Sequence, residues 1–142
     1  MTSKFSAFMA QNVARIENKK IVVSNRFKDE NGKPIEWEIR ALTNEENDEL
    51  QRRAMVNVPV MGQRGAFTRE LDNVKYSAML LAASVVYPDL NDAELQDSYG
   101  VKTPEALINK MLYMREATVL AQEIAKLSNF DNLPEAVTEA KN

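Results

Sequence analysis

Cysteine and histidine are both absent from this 142-residue sequence. Without cysteine there are no disulfides, no thiolate metal ligands and no cysteine nucleophile, and the composition suits a reducing compartment. Without histidine the commonest general base and the commonest metal ligand are missing too. Any catalysis would rest on carboxylates, Lys or Ser, so an enzyme is not expected. No run approaches the roughly 18 apolar residues of a membrane span. The opening MTSKFSAFMAQN has no long apolar segment and does not read as a signal peptide. The net charge of −3 gives no general attraction for nucleic acid or anionic lipid.

The remaining composition is that of a globular domain, 44% apolar and 27% charged. A chain of this length suits one domain and buries roughly 68–70% of its unfolded surface. Charge is uneven along it. Residues 1–40 hold eight Lys/Arg against five Asp/Glu, and residues 41–142 hold ten against sixteen. The cations of the basic end alternate with acids, which reads as a solvated mixed surface.

Local signals are densest from Arg26 to Leu50. Asp29-Glu30-Asn31-Gly32-Lys33 is a turn, because Asn-Gly tolerates positive φ. Pro34 suits a strand's first position. Residues 35–41 then alternate, with Ile35, Trp37, Ile39 and Ala41 on one face and Glu36, Glu38 and Arg40 on the other. Ile21, Val23 and Phe27 of a preceding strand join the apolar face, and Arg26 and Lys28 are expected opposite Glu36 and Glu38. Residues 13–17 read as a further extended segment. Thr43 to Glu46 is a capping box that opens a helix over 44–56.

Residues 57–70, NVPVMGQRGAFTRE, follow no period and read as a long loop punctuated by Pro59, Gly62 and Gly65. Its apolar cargo either folds back as a lid on the core or meets a partner. Residues 71–86 predict a central helix, apolar nearly all round from Ala78 to Val86 and ended by Pro88. A short helix capped by Asn91 is expected through Leu95, closed by Gly100. Thr103-Pro104 starts another, with Leu107, Ile108, Met111 and Leu112 inward. After a weak point at Tyr113–Arg115, Ala117, Leu120, Ala121, Ile124 and Leu127 line a last helix. Near the N-terminus, Ser3 can cap a short helix that sets Phe5, Phe8 and Met9 on one face.

The expectation is therefore an α+β fold, a mostly helical single domain over 1–130. It carries a small N-terminal antiparallel hairpin or three-stranded meander at about 13–41, helices over about 44–128, and a polar tail at 131–142.

Candidate chemistry is thin. Glu36 and Glu38 share a strand face beside basic neighbours, which favours ion pairs over a catalytic pair. Glu45, Glu46, Asp48 and Glu49 lack calcium-loop spacing and sit where acids favour a helix dipole. Gly62-x-x-Gly65 lacks the phosphate-loop pattern. No cofactor or metal is expected. Met79 and Met111 read as core, Trp37 as the sheet's anchor, and Met9, Met55 and Met61 as candidates for an adaptable surface.

Several pieces in order then carry a resemblance. They are VVSNRF at 22–27, DENGKPIEWEIRAL at 29–42, TNEEN at 43–47, YPDLNDAELQDSYGV at 87–101, TPEALINKML at 103–112 and the final EAKN. The chain resembles the XkdN-like phage tail assembly chaperone family over about residues 5–130. Met114-Arg115-Glu116 departs from it, where a Gly is expected before the Glu.

The resemblance implies a non-enzymatic assembly factor in the host bacterial cytoplasm, absent from the mature virion. Its client would be the tape measure protein, a long helical protein kept soluble until the tail tube polymerises around it; the tube protein is a further candidate partner. In related systems frameshifting near the gene's end gives a longer product, which lends interest to the A-rich codons of Lys141-Asn142. The apolar character of weakly anchored segments nominates Phe5, Phe8, Met9, Val60, Met61 and Phe67 as contact residues. The alternative is a structural tail or connector subunit.

Overall fold

The alternation at 35–41 puts Trp37 and Ile39 on one side of a strand, and both side chains are buried, Trp37 with 1% of its surface exposed. The computed structural model describes residues 4–128. In it β1 (Lys19–Ile21) pairs antiparallel with β2 (Trp37–Ile39), with Ile21 opposite Trp37 and Lys20 opposite Glu38. The Asp29–Lys33 turn forms as expected. Asp29 Oδ1 accepts the N–H groups of Asn31 (2.8 Å) and Lys33 (3.0 Å), and Gly32 takes φ 81°. Ile21 and Val23 are buried, and the Phe27 ring meets Trp37 at 5.5 Å between centroids.

The third strand does not come from the N-terminus. Residues 13–17 form no strand, and neither does most of 20–27. Instead the central helix α2 (Asn73–Ser84) stops short, and Val85–Tyr87 becomes β5 on the far edge of β2. Val85 and Val86 are β-branched and favour extended backbone, which pairs with β2. The junction is fixed by Arg40 N–H donating to Ser84 O at 2.9 Å. The order β1-β2-β5 is thus a sheet closed across half the sequence, not a meander.

The capping box is complete: Thr43 Oγ1 accepts the Glu46 N–H, and Glu46 Oε1 accepts the Thr43 N–H at 2.9 Å. It opens α1 (Asn44–Arg53), which ends before the expected 56. Residues 57–70 are a loop only over 60–66. Met55–Pro59 (β3) and Phe67–Leu71 (β4) form a two-stranded antiparallel ribbon, from Met55 opposite Leu71 to Pro59 opposite Phe67. Helix α3 (Ala93–Ser98) is capped by Asp92, one residue past the expected Asn91, and Gly100 follows at φ 70°. Thr103 and Pro104 open α4 (Pro104–Met111) as expected, and the break before α5 (Met114–Ser128) falls at Leu112–Tyr113.

Two hydrophobic clusters result. The larger joins the sheet to α4 and α5 through Trp37, Ile39, Leu107, Ile108, Met111, Leu120, Ile124 and Leu127. The smaller holds Leu50 and Ala54 against Met79, flanked by Leu71 and Tyr76. Helix α2 serves both, since its apolar surface runs around the whole cylinder.

One interaction locks the sheet side to the α4–α5 joint. Arg26 does not meet Glu36 across the sheet. Its guanidinium takes both oxygens of Glu116 (2.6 and 2.7 Å), donates to Met111 O (2.8 Å) and stacks on Phe27 and Tyr113. A planar fork suits this bidentate, ring-flanked geometry. Glu38 instead accepts from Asn18 at 2.8 Å. Glu116 also accepts the Tyr113 N–H (2.8 Å), which starts α5 without the expected Gly.

Candidate partner-binding surface

The ribbon is built from its base outward. The Ala54 carbonyl, at the end of α1, accepts the Asp72 N–H at 2.9 Å, so both ends of the ribbon are tied to one buried point. Leu71 packs into the smaller cluster there. Beyond it the chain leaves the core, and β4 is exposed from Phe67 to Glu70. Two consecutive turns close the tip: Gln63 N–H donates to Val60 O and Ala66 N–H to Gln63 O, both at 3.2 Å. Gly62 (φ 79°) and Gly65 (φ 76°) hold the third position of each turn, which only a residue tolerant of positive φ fills without strain. Val60 N–H to Ala66 O (3.0 Å) joins the tip to the ladder.

The six nominated residues fall into two local groups. Val60, Met61 and Phe67 share the ribbon's tip. Met61 is 96% exposed and Phe67 62%, so these two do not form a lid on the core. Val60 is half-buried. Phe5, Phe8 and Met9 share a tight turn around a 3₁₀ segment, Ser6–Phe8, rather than an α-helical face. Phe8 is 79% exposed, and Phe5 and Met9 are exposed as well. The expected cap, Ser3, lies outside the described residues.

A groove of about 520 Å³, which no local sequence pattern announces, lies between α1, α2 and α5. Leu42, Leu80, Leu81 and Ile124 form its apolar lining, and Ala121, Ala125 and Ser128 of α5 lie along one side. The apolar spacing of α5 puts Ala121 on the core face, yet it is exposed. The readable signal was the spacing of small residues at 121, 125 and 128, one side of a helix whose large apolar residues lie at 120, 124 and 127.

The charged groups are structural in their geometry. Arg40 grips Glu46 with two bonds, 2.5 and 3.0 Å, joining β2 to α1. That pairing, with the Thr43 N–H, holds the Glu46 carboxyl down at about 2. The Arg26 guanidinium, helped by Ser24 and the Tyr113 N–H, does the same for Glu116 against its burial, again to about 2. Lys19 to Glu123 (2.7 Å) ties β1 to α5. Among the described residues no group of acids is arranged to hold a metal ion, and no helix is long and apolar enough to cross a membrane. The polar tail expected at 131–142 lies outside the described residues.

A family profile described as phage XkdN-like tail assembly chaperone protein matches residues 5–141. The chain is 28% identical over 139 residues to the phage-like element PBSX protein XkdN of Bacillus subtilis (strain 168), spanning 96% of this chain and 93% of that protein. It is 27% identical over 136 residues to YqbN of the same organism, spanning 95% and 90%. A crystal structure of the protein YqbN superposes with a TM-score of 0.73 over 91% of this chain and 98% of that one, at 21% identity, a likeness of fold.

Proposed function

The chain belongs to the phage XkdN-like tail assembly chaperone family, and on that premise we propose that it binds the tape measure protein and keeps it soluble until the tail tube polymerises around it. The observation that carries this reading is the exposed ribbon tip. Large apolar side chains on an arm outside the core, Met61 and Phe67 above all, serve no packing purpose in the free chain. A long helical client exposes apolar stripes before assembly, and flexible methionine and aromatic contacts adapt to such stripes without deep burial. Modest burial also permits release, because affinity then rests on few anchored side chains.

Phe5, Phe8 and Met9 form a second contact region in this reading, and Val60 supports the tip. The process is non-enzymatic, takes place in the host cytoplasm and leaves the chaperone out of the finished virion. A longer product made by frameshifting over the Lys141-Asn142 codons would belong to the same process; mass spectrometry of the expressed gene detects it.

Co-expression tests the central reading. With the chaperone, the tape measure protein is expected in the soluble fraction and in complex; insoluble client with and without the chaperone would reject the proposal. Mass spectrometry of purified particles separates a chaperone, expected to be absent, from a tail or connector subunit.

A further inference from the structure

Two hydrogen bonds fix which backbone groups of the ribbon face outward. Val60 N–H donates to Ala66 O and Asp72 N–H to Ala54 O, and between them the register sets Val58 opposite Thr68 and Val56 opposite Glu70. Hydrogen-bonded pairs alternate along an antiparallel ladder. Val56–Glu70 and Val58–Thr68 are therefore the bonded pairs, and the N–H and C=O groups of Asn57 on β3 and of Phe67 and Arg69 on β4 point away from the ribbon. The β3 edge is blunted by Pro59, which has no N–H. The β4 edge has no proline, and it is exposed from Phe67 to Glu70. Among the described residues no hydrogen bond reaches the Phe67 or Arg69 backbone from outside the ribbon. Such an edge is a template for another strand.

β4 is complementary to itself in one register. Closed dimers are two-fold symmetric, and an axis normal to the ribbon sets one residue against its own copy. Centred on Arg69 or Glu70, the axis opposes like charges, which destabilises. Centred on Phe67, it brings Arg69 against Gly65 of the turn, so the ladder stops at once. Centred on Thr68, it lets Phe67 and Arg69 exchange both outward bonds with Arg69 and Phe67 of the second copy. That register also lays each Phe67 ring beside an Arg69 guanidinium, a cation–π pair. It carries Arg64 of the tip level with Asp72 of the second copy. Neither Arg64 nor Arg69 has a carboxylate partner of its own among the described residues. A two-stranded ribbon is marginal, and joining two makes a four-stranded sheet.

We propose that two copies of this chain pair through β4, antiparallel about a two-fold axis at Thr68. The pairing stands on the ladder geometry and does not rest on the tape measure reading. One consequence does rest on it: a client meets two tips at a fixed spacing, so its second contact is intramolecular.

Sedimentation of the full chain is expected to show a concentration-dependent dimer. Arg69→Pro removes an outward N–H and spares the ribbon's own ladder, and it should raise the dissociation constant about thirtyfold. Asn57→Pro does the same on the β3 edge and should leave the dimer unchanged. Because the chain has no cysteine, single cysteines read the register. Thr68→Cys should cross-link under mild oxidation, with Cβ atoms about 4.5–5.5 Å apart across the axis. Phe67→Cys and Arg69→Cys, at roughly 7–8 Å, should not. If Arg69→Pro melts the ribbon, the cysteine series decides by itself. A monomer at every concentration would overturn the proposal. So would a dimer that a folded Arg69→Pro leaves intact, one that Asn57→Pro weakens equally, or cross-linking of Arg69→Cys as fast as that of Thr68→Cys.

Discussion

The two antiparallel sheets are made of similar residues and have opposite fates. Sheet β1-β2-β5 has Trp37 and Ile39 at its centre, buried against α4 and α5. Ribbon β3-β4 has Met61 and Phe67 exposed at its tip and no fully buried residue along either strand. A two-stranded ribbon is marginal by itself. It persists here because Ala54, Asp72 and Leu71 pin its base. The difference teaches that apolar content does not decide which strand carries the fold; attachment to helices does. The sheet is the scaffold, and the ribbon tip stands outside the core.

The comparison breaks most visibly at Trp37. Trp37→Ala empties the centre of the larger cluster and is expected to cost about 4 kcal/mol in urea unfolding. Glu116→Gln comes next. It leaves the Arg26 guanidinium facing a neutral amide and weakens the joint between sheet and helices, at a cost of about 2 kcal/mol. The same carboxyl gives a pH signature. Glu46 and Glu116 stand near 2 in the folded chain, below the ordinary 4.5. A depressed folded value adds stability that is fully present above about pH 4.5 and is lost as pH falls toward 2. Urea midpoints should therefore drop across that window, and Glu116→Gln should flatten the drop. Thr43→Ala removes one half of the capping box and should cost about 1 kcal/mol. At the small end, Met61→Ala and Phe67→Ala should stay within about 0.5 kcal/mol of the parent, since neither side chain is buried.

Legibility in the sequence followed the same division. Ile35 to Ala41 alternated because one face meets a core, and the Asn31-Gly32 turn and the Thr43–Glu46 box were local chemistry; all three could be read directly. The ribbon could not. With neither face of β4 buried, nothing selects alternation between Phe67 and Glu70, and Pro59 argued against a strand that in fact ends on it. β5 is hidden for another reason. Ala78 to Val86 is one apolar run, and only pairing with Trp37–Ile39, distant in sequence, decides that Val85 leaves the helix. The partner of Arg26 is not legible locally, because Glu116 lies 90 positions away, beyond any pattern of neighbours. Of the candidate surface, the exposed apolar residues at 61 and 67 were visible as cargo without a period; the groove was hidden because α1, α2 and α5 each contribute only part of it.

The most direct measurement is co-purification of the tape measure protein with a chaperone carrying Met61→Glu and Phe67→Glu together, alongside its melting temperature. The account predicts an unchanged melting temperature and loss of most of the bound client. Full client recovery by a folded double variant would contradict it.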